Sequence, residues 1–133
     1  MDLQESYGFT DPDLEENGVE VQLSEDAYIT VRRSNNQKFK DLLTSLRKPY
    51  EQRIQRGTMD QKVLDQLTRQ AVAKEVLIGW RGIKLDGKEV KYSPAKAEEL
   101  LKKYEDFQED VLTAANTRET FRRQVQEENE KNS

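Results

Sequence analysis

Val76-Leu77-Ile78-Gly79-Trp80-Arg81-Gly82-Ile83-Lys84-Leu85-Asp86-Gly87-Lys88-Glu89-Val90-Lys91-Tyr92 is the stretch on which the fold turns. It holds the only tryptophan, three of the six glycines and a dense apolar run in a very polar chain. Val76, Leu77 and Ile78 read as the buried end of a helix. Gly79 can end that helix, since it takes up positive φ without a Cβ clash. Trp80 is too large to leave in water without cost and reads as an anchor; the alternative is a ligand contact. Ile83-Lys84-Leu85 and Val90-Lys91-Tyr92 alternate apolar and polar around Asp86-Gly87, a strong hairpin signal. Ser93-Pro94 then opens a helix, with Ser as N-cap and Pro at the first helical position.

Upstream, Val19-Glu20-Val21-Gln22-Leu23 alternates with period two, and Tyr28-Ile29-Thr30-Val31 is β-branched and aromatic. Ser24-Glu25-Asp26 between them is turn chemistry, so a second hairpin is expected. From Gln37 the period becomes helical: Phe39, Leu42, Leu43, Leu46 and Tyr50 recur at three- and four-residue steps. Asn35 or Asn36 can cap this helix and Pro49 should end or bend it. Gln52 to Gly57 reads as a short continuation. Thr58 or Asp60 caps the next helix, whose stripe is Val63, Leu64, Leu67, Ala71, Val72 and Val76.

Downstream, a shorter helix carries Ala97, Leu100, Leu101 and Tyr104. A last helix begins at Glu105-Asp106 and puts Phe107, Val111, Ala114, Ala115, Arg118, Phe121 and Val125 on one face. That face either packs on the second long helix or serves self-association. Arg118 interrupts it and either snorkels or pairs with a carboxylate.

The fold class is therefore α+β and mainly α-helical, with about four helices and two small β-hairpins, N-terminal (19–33) and central (83–92). A single domain spans 18–126. Residues 1–17 form an acidic, loosely held arm in which Tyr7 and Phe9 could pin a partner, and 127–133 form a polar tail.

Charge is unevenly spread. Residues 1–26 carry nine acids and no base, whereas residues 32–56 carry eight bases against two acids. The acidic arm could lie on the basic segment of its own chain or of a neighbour, giving a homo-oligomer, or the two could be separate solvated faces. The basic segment also invites a nucleic-acid reading, with Tyr50 stacking. The sequence pI of about 5.1 and the competing acidic arm make that the weaker choice.

Cysteine and histidine are absent. That removes disulfides, thiolate chemistry, Ser-His and Cys-His nucleophiles and nitrogen-ligand zinc sites. Glu98-Glu99 and Asp106 with Asp110 are paired acids without a cleft beside them. Asp86-Gly87-Lys88 lacks the spaced carboxylates of a calcium loop. The expectation is a protein with no catalytic residues, no metal and no cofactor. No stretch approaches the roughly 20 apolar residues of a membrane span, and the acidic N-terminus does not read as a signal peptide.

Several stretches of the chain resemble the tail assembly chaperones of long-tailed bacteriophages and related prophages. The likeness starts at Leu77-Ile78-Gly79-Trp80-Arg81-Gly82-Ile83. It continues through Asp86-Gly87-Lys88, Val90-Lys91-Tyr92-Ser93-Pro94 and Leu100-Leu101 to Arg118, Phe121 and Glu127-Glu128 with Lys131-Asn132. It covers about residues 17–132 as a loose pattern: Gly-Trp-x-Gly, a hairpin, then a Ser-Pro helix start.

The resemblance implies a protein of the host cytoplasm, absent from the mature virion. Such proteins coat the long helical tape measure protein while tail tube protein polymerises around it. Many exist in a shorter and a ribosomally frameshifted longer form, and some form rings or helices. A protein-binding surface is accordingly expected around Leu42, Leu46, Leu67, Leu101, Phe107 and Phe121, with Trp80 and its hairpin orienting the helices. The other reading is a structural tail or neck component retained in the particle.

Overall fold

In a computed structural model the chain is described for residues 1–2, 12–117 and 120–121. Elements run α1 (Pro12–Asn17), β1 (Val19–Ser24), β2 (Ala27–Val31), α2 (Gln37–Arg47), a 3-10 turn (Lys48–Tyr50), α3 (Glu51–Gln55), α4 (Gln61–Glu75), β3 (Leu77–Arg81), β4 (Lys84–Leu85), β5 (Lys88–Glu89), α5 (Pro94–Lys103) and α6 (Glu105–Asn116). The fold is α+β and mainly helical. Tyr7, Phe9, Arg118, Val125 and the tail 127–133 lie outside the described residues.

Helix starts follow local chemistry. Asn36 caps α2 by accepting from the Phe39 N–H at 2.9 Å. Asp60 caps α4 through the Lys62 N–H at 2.9 Å. Ser93 caps α5 through the Lys96 N–H, with Pro94 at its first position. Each side chain satisfies a donor that the first helical turn leaves open. Pro49 closes α2 into the 3-10 turn, and α3 continues beyond it.

The N-terminal hairpin forms as read, Val19 opposite Val31 and Val21 opposite Ile29. The central hairpin pairs Lys84 with Glu89 and Leu85 with Lys88, a shorter ladder than 83–92. Asp86 and Gly87 both have positive φ (52° and 78°), the conformation whose twist suits a two-residue hairpin.

Four differences from the sequence reading have physical causes. First, Leu77 and Ile78 are not helix. α4 stops at Glu75, with Val76 as its C-cap, and Leu77–Arg81 is a strand. It pairs antiparallel with β2, Ile29 opposite Trp80 and Thr30 opposite Gly79, giving a sheet of order β1-β2-β3. A short aliphatic run is compatible with either period, and tertiary partners decide.

Those partners are visible. The Tyr92 hydroxyl lies 2.9 Å from the Ala73 carbonyl and 2.7 Å from that of Leu77. Asn36 Nδ2 donates to the Glu75 carbonyl, and the Arg32 N–H to that of Val76. The orphan acceptors at the end of α4 are thus taken by donors distant in sequence. Second, Gly79 keeps an ordinary φ and does not end the helix. Third, Pro12–Asn17, placed in the loose arm, is helical, and its Leu14 packs against the core. Fourth, α6 ends at Asn116 and Thr117 is not helical, while residues 120–121 are.

The core lies between the inner face of the sheet (Val19, Ile29, Val31, Leu77) and the ends of α4, α5 and α6. Val72, Ala73, Val76, Ala97, Leu101, Val111, Ala114, Ala115 and Phe121 complete it. Ser34 ties the strand exit to α6 by its N–H to the Ala115 carbonyl and its hydroxyl to Asn116. No helix among the described residues is long and apolar enough to cross a membrane.

Removing the Tyr92 hydroxyl leaves buried carbonyls at the α4–β3 junction with one donor fewer. Tyr92→Phe is expected to cost about 1–2 kcal/mol in urea unfolding. Burial, opposed by Arg32 and reinforced by Glu75, pushes this phenol above its ordinary value. Its contribution is therefore full below the ordinary tyrosine pKa and is lost as pH rises through the raised one. Wild type and Tyr92→Phe should converge in stability at strongly alkaline pH; a constant gap there would count against this role.

Candidate interaction surface

The sequence-predicted residues fall into three environments. Leu101 and Phe121 have 0% exposure and Leu67 has 8%, so they act through packing and offer a partner almost nothing. Leu101 sits in the core where α5 meets α4, as a helix stripe covered on both sides must. Phe121 is sealed in the core beneath Arg33, whose guanidinium carbon lies 5.6 Å from the ring centre. Of the two roles open to the last helical face, Val111 and Phe121 therefore take core packing.

Trp80 is half-buried. Its indole N–H donates to the Val90 carbonyl at 2.7 Å, and its ring meets Tyr92 edge-on at 5.0 Å. That contact fastens the β4–β5 hairpin to β3. Beyond the hairpin an open groove of about 610 Å³ is lined by Ile83, Leu85, Leu100, Tyr104 and Phe107. Tyr104 is 41% exposed there, which makes it the most accessible ring among the described residues.

Leu42 and Leu46 belong to the third environment, the arm formed by α2, the 3-10 turn and α3. None of these elements buries a residue. Leu42, Leu43, Leu46, Tyr50 and Ile54 are all half-buried, because the arm packs mainly along α4. The central core takes no residue between Val31 and Val72, and only Phe39 leans on it. Beside the arm, a groove of about 740 Å³ runs between α4, α5 and α6, walled by Phe39, Arg69, Lys102, Glu109 and Leu112.

Electrostatics separate the arm from the rest. Arg32 is committed to the body: its Nε donates to the Glu16 carbonyl and its Nη1 to Glu75 at 2.8 Å, both side chains under a fifth exposed. Arg81 lies across Tyr28, 3.7 Å from the ring centre, and holds Glu20 in a two-point pair. The arm differs in net charge, six bases against two acids over residues 37–56; Lys38, Lys40, Arg47, Lys48, Arg53 and Arg56, like most bases of the body, enter no ion pair among the described residues. Arg47 and Arg69 each bury an Nε without an acceptor. The basic segment was legible in the sequence. That Arg32 and Arg33 leave it for the body, and that Arg69 lacks an acceptor, was not.

The Arg81 hydrogen bonds, with Coulombic attraction from the same guanidinium, hold the Glu20 carboxyl below its ordinary value. What the pair adds is present above the unfolded glutamate pKa and is lost as pH falls through the lowered one. Both side chains are about half exposed (59% and 43%), so salt screens the pair and the effect is small. Glu20→Gln should leave acid unfolding shallower, a difference that disappears at high salt.

Among the described residues no three His, Cys, Asp or Glu side chains gather where they could hold a metal. A family model described as the YdaY prophage protein matches residues 34–132, from the end of the first hairpin through the arm, the Trp80 strand and the last helices. No curated protein and no solved structure matches the chain. With the match covering most of its 133 residues, the chain belongs to the family of YdaY prophage proteins.

Proposed function

We propose that this prophage protein is a non-catalytic tail assembly chaperone. It acts in the host cytoplasm, covers the apolar stripes of the tape measure protein and helps recruit tail tube protein. The observation that carries this reading is the arm, where Leu42, Leu43, Leu46, Tyr50 and Ile54 stay half-buried on α2, the 3-10 turn and α3 in a prophage protein. A long coil with exposed stripes aggregates until something covers it. A cover needs an apolar contact strip and a strongly charged outer surface, and 36% charged residues supply the second.

The test is co-expression with the tape measure protein of the same prophage. The tape measure should move from the pellet to the soluble fraction and co-purify with this chain. A tape measure as insoluble with the chain as without it would overturn the proposal. Purified particles should lack the chain by mass spectrometry. Stoichiometric retention there would favour the structural tail or neck reading.

A further inference from the structure

The arm carries a more specific assignment. It deepens the chaperone reading but takes from it only the partner's identity. We infer that α2, the 3-10 turn and α3 form a docking surface for an amphipathic helix whose apolar stripe is flanked by acidic side chains.

Two independent observations meet on the arm. The first is apolar: Leu42, Leu46 and Ile54 retain exposed surface at helical spacing, on elements with no buried residue. Ridges of this spacing accept a second helix along their length. The second is charge. Residues 37–56 hold six bases and two acids, a net of 6 − 2 = +4 in a chain of net −4. None of the six bases has a carboxylate partner among the described residues. Most described bases elsewhere also lack one, so it is the net positive charge of residues 37–56, in an acidic chain, that sets the arm apart. The Arg47 Nε is buried with no acceptor, so its charge is incompletely satisfied within the arm.

Cations that rim a leucine strip fit a helix with apolar a and d positions and Glu or Asp beside them. Nucleic acid would take the cations and leave the leucines against a charged backbone. That mismatch favours protein over phosphate.

The probe is a labelled synthetic helix of about four heptads, with Leu at a and d and Glu at e and g, the like charges opposing its self-pairing. Controls are the same peptide with Lys for Glu, and a duplex DNA. Titrated against the full chain by fluorescence anisotropy, the acidic peptide should bind. Affinity should fall about tenfold or more between low and high salt. Lys40→Glu with Arg53→Glu, two exposed positions that leave folding intact, should weaken it about tenfold or more, close to 1.4 kcal/mol. Leu46→Ser should do the same, with its fold checked by circular dichroism.

Several results would overturn the inference: no binding, equal binding of acidic and basic peptides, binding indifferent to the charge reversals, or preference for DNA. Self-association of the chain that the same charge reversals abolish would assign the surface to a second copy and overturn it too. If the charge-reversed variant still solubilises the tape measure as wild type does, the surface assignment fails and the chaperone reading stands.

Discussion

Gly82→Ala should destabilise the protein by roughly 3 kcal/mol or more, lowering Tm by roughly 10 °C. Gly82 sits at φ +75°, immediately after β3. A Cβ there would lie 1.9 Å from the Asp26 carbonyl oxygen and 2.9 Å from its carbon. Those atoms are backbone, in the turn between β1 and β2, and cannot rotate aside as a side chain would. Either the N-terminal hairpin shifts away from β3 or the β4–β5 hairpin loses its approach to the sheet.

Gly87 provides the control. Its φ is +78°, close to that of Gly82, yet a Cβ there meets nothing within 4 Å. Gly87→Ala should cost only the left-handed penalty, about 1–2 kcal/mol. Urea unfolding with unchanged m-values would measure both. Equal losses at the two positions would remove the close approach as the explanation.

Phe121→Ala should cost about 3–5 kcal/mol, the range for emptying a fully buried aromatic site. Among the described residues Phe121 is the largest side chain with no exposed surface. It lies beyond the end of α6 and beneath Arg33, whose Nη1 is buried without an acceptor. Truncation leaves a cavity and strips the guanidinium of its ring. The half-buried Phe107→Ala should cost about 1–2 kcal/mol by comparison. The two changes separate packing from surface: Phe121→Ala should act on stability, while Phe107→Ala should leave the fold nearly intact. A mild Phe121→Ala phenotype would mean that residues past Asn116 do not close the core.

Much of the fold was legible locally. Asn35 or Asn36, Thr58 or Asp60, and Ser93-Pro94 marked helix starts because a capping side chain acts within three residues of itself; the structure selects Asn36 and Asp60. Asp86-Gly87 marked its turn because both positions need positive φ. Alternation at Val19–Leu23 and Tyr28–Val31 fixed a hairpin because a strand shows its two faces at period two.

The end of α4 was not legible. Val76-Leu77-Ile78 suits helix or strand equally. The choice was made by β2, whose edge away from β1 was open, and by Tyr92, Asn36 and Arg32, which supply donors to the last carbonyls. None of these lies within the window that a local period samples.

The candidate surface divides along the same line. Leu42, Leu46 and Leu101 look alike in sequence, each on an amphipathic stripe beside cations. Helical spacing determined that each stripe would face something apolar. Only tertiary packing decided how much of that something this chain provides: for Leu101 all of it, because α4 and α6 pack against its helix beside the sheet. For Leu42 and Leu46 part of it is missing among the described residues, because the arm packs mainly along α4.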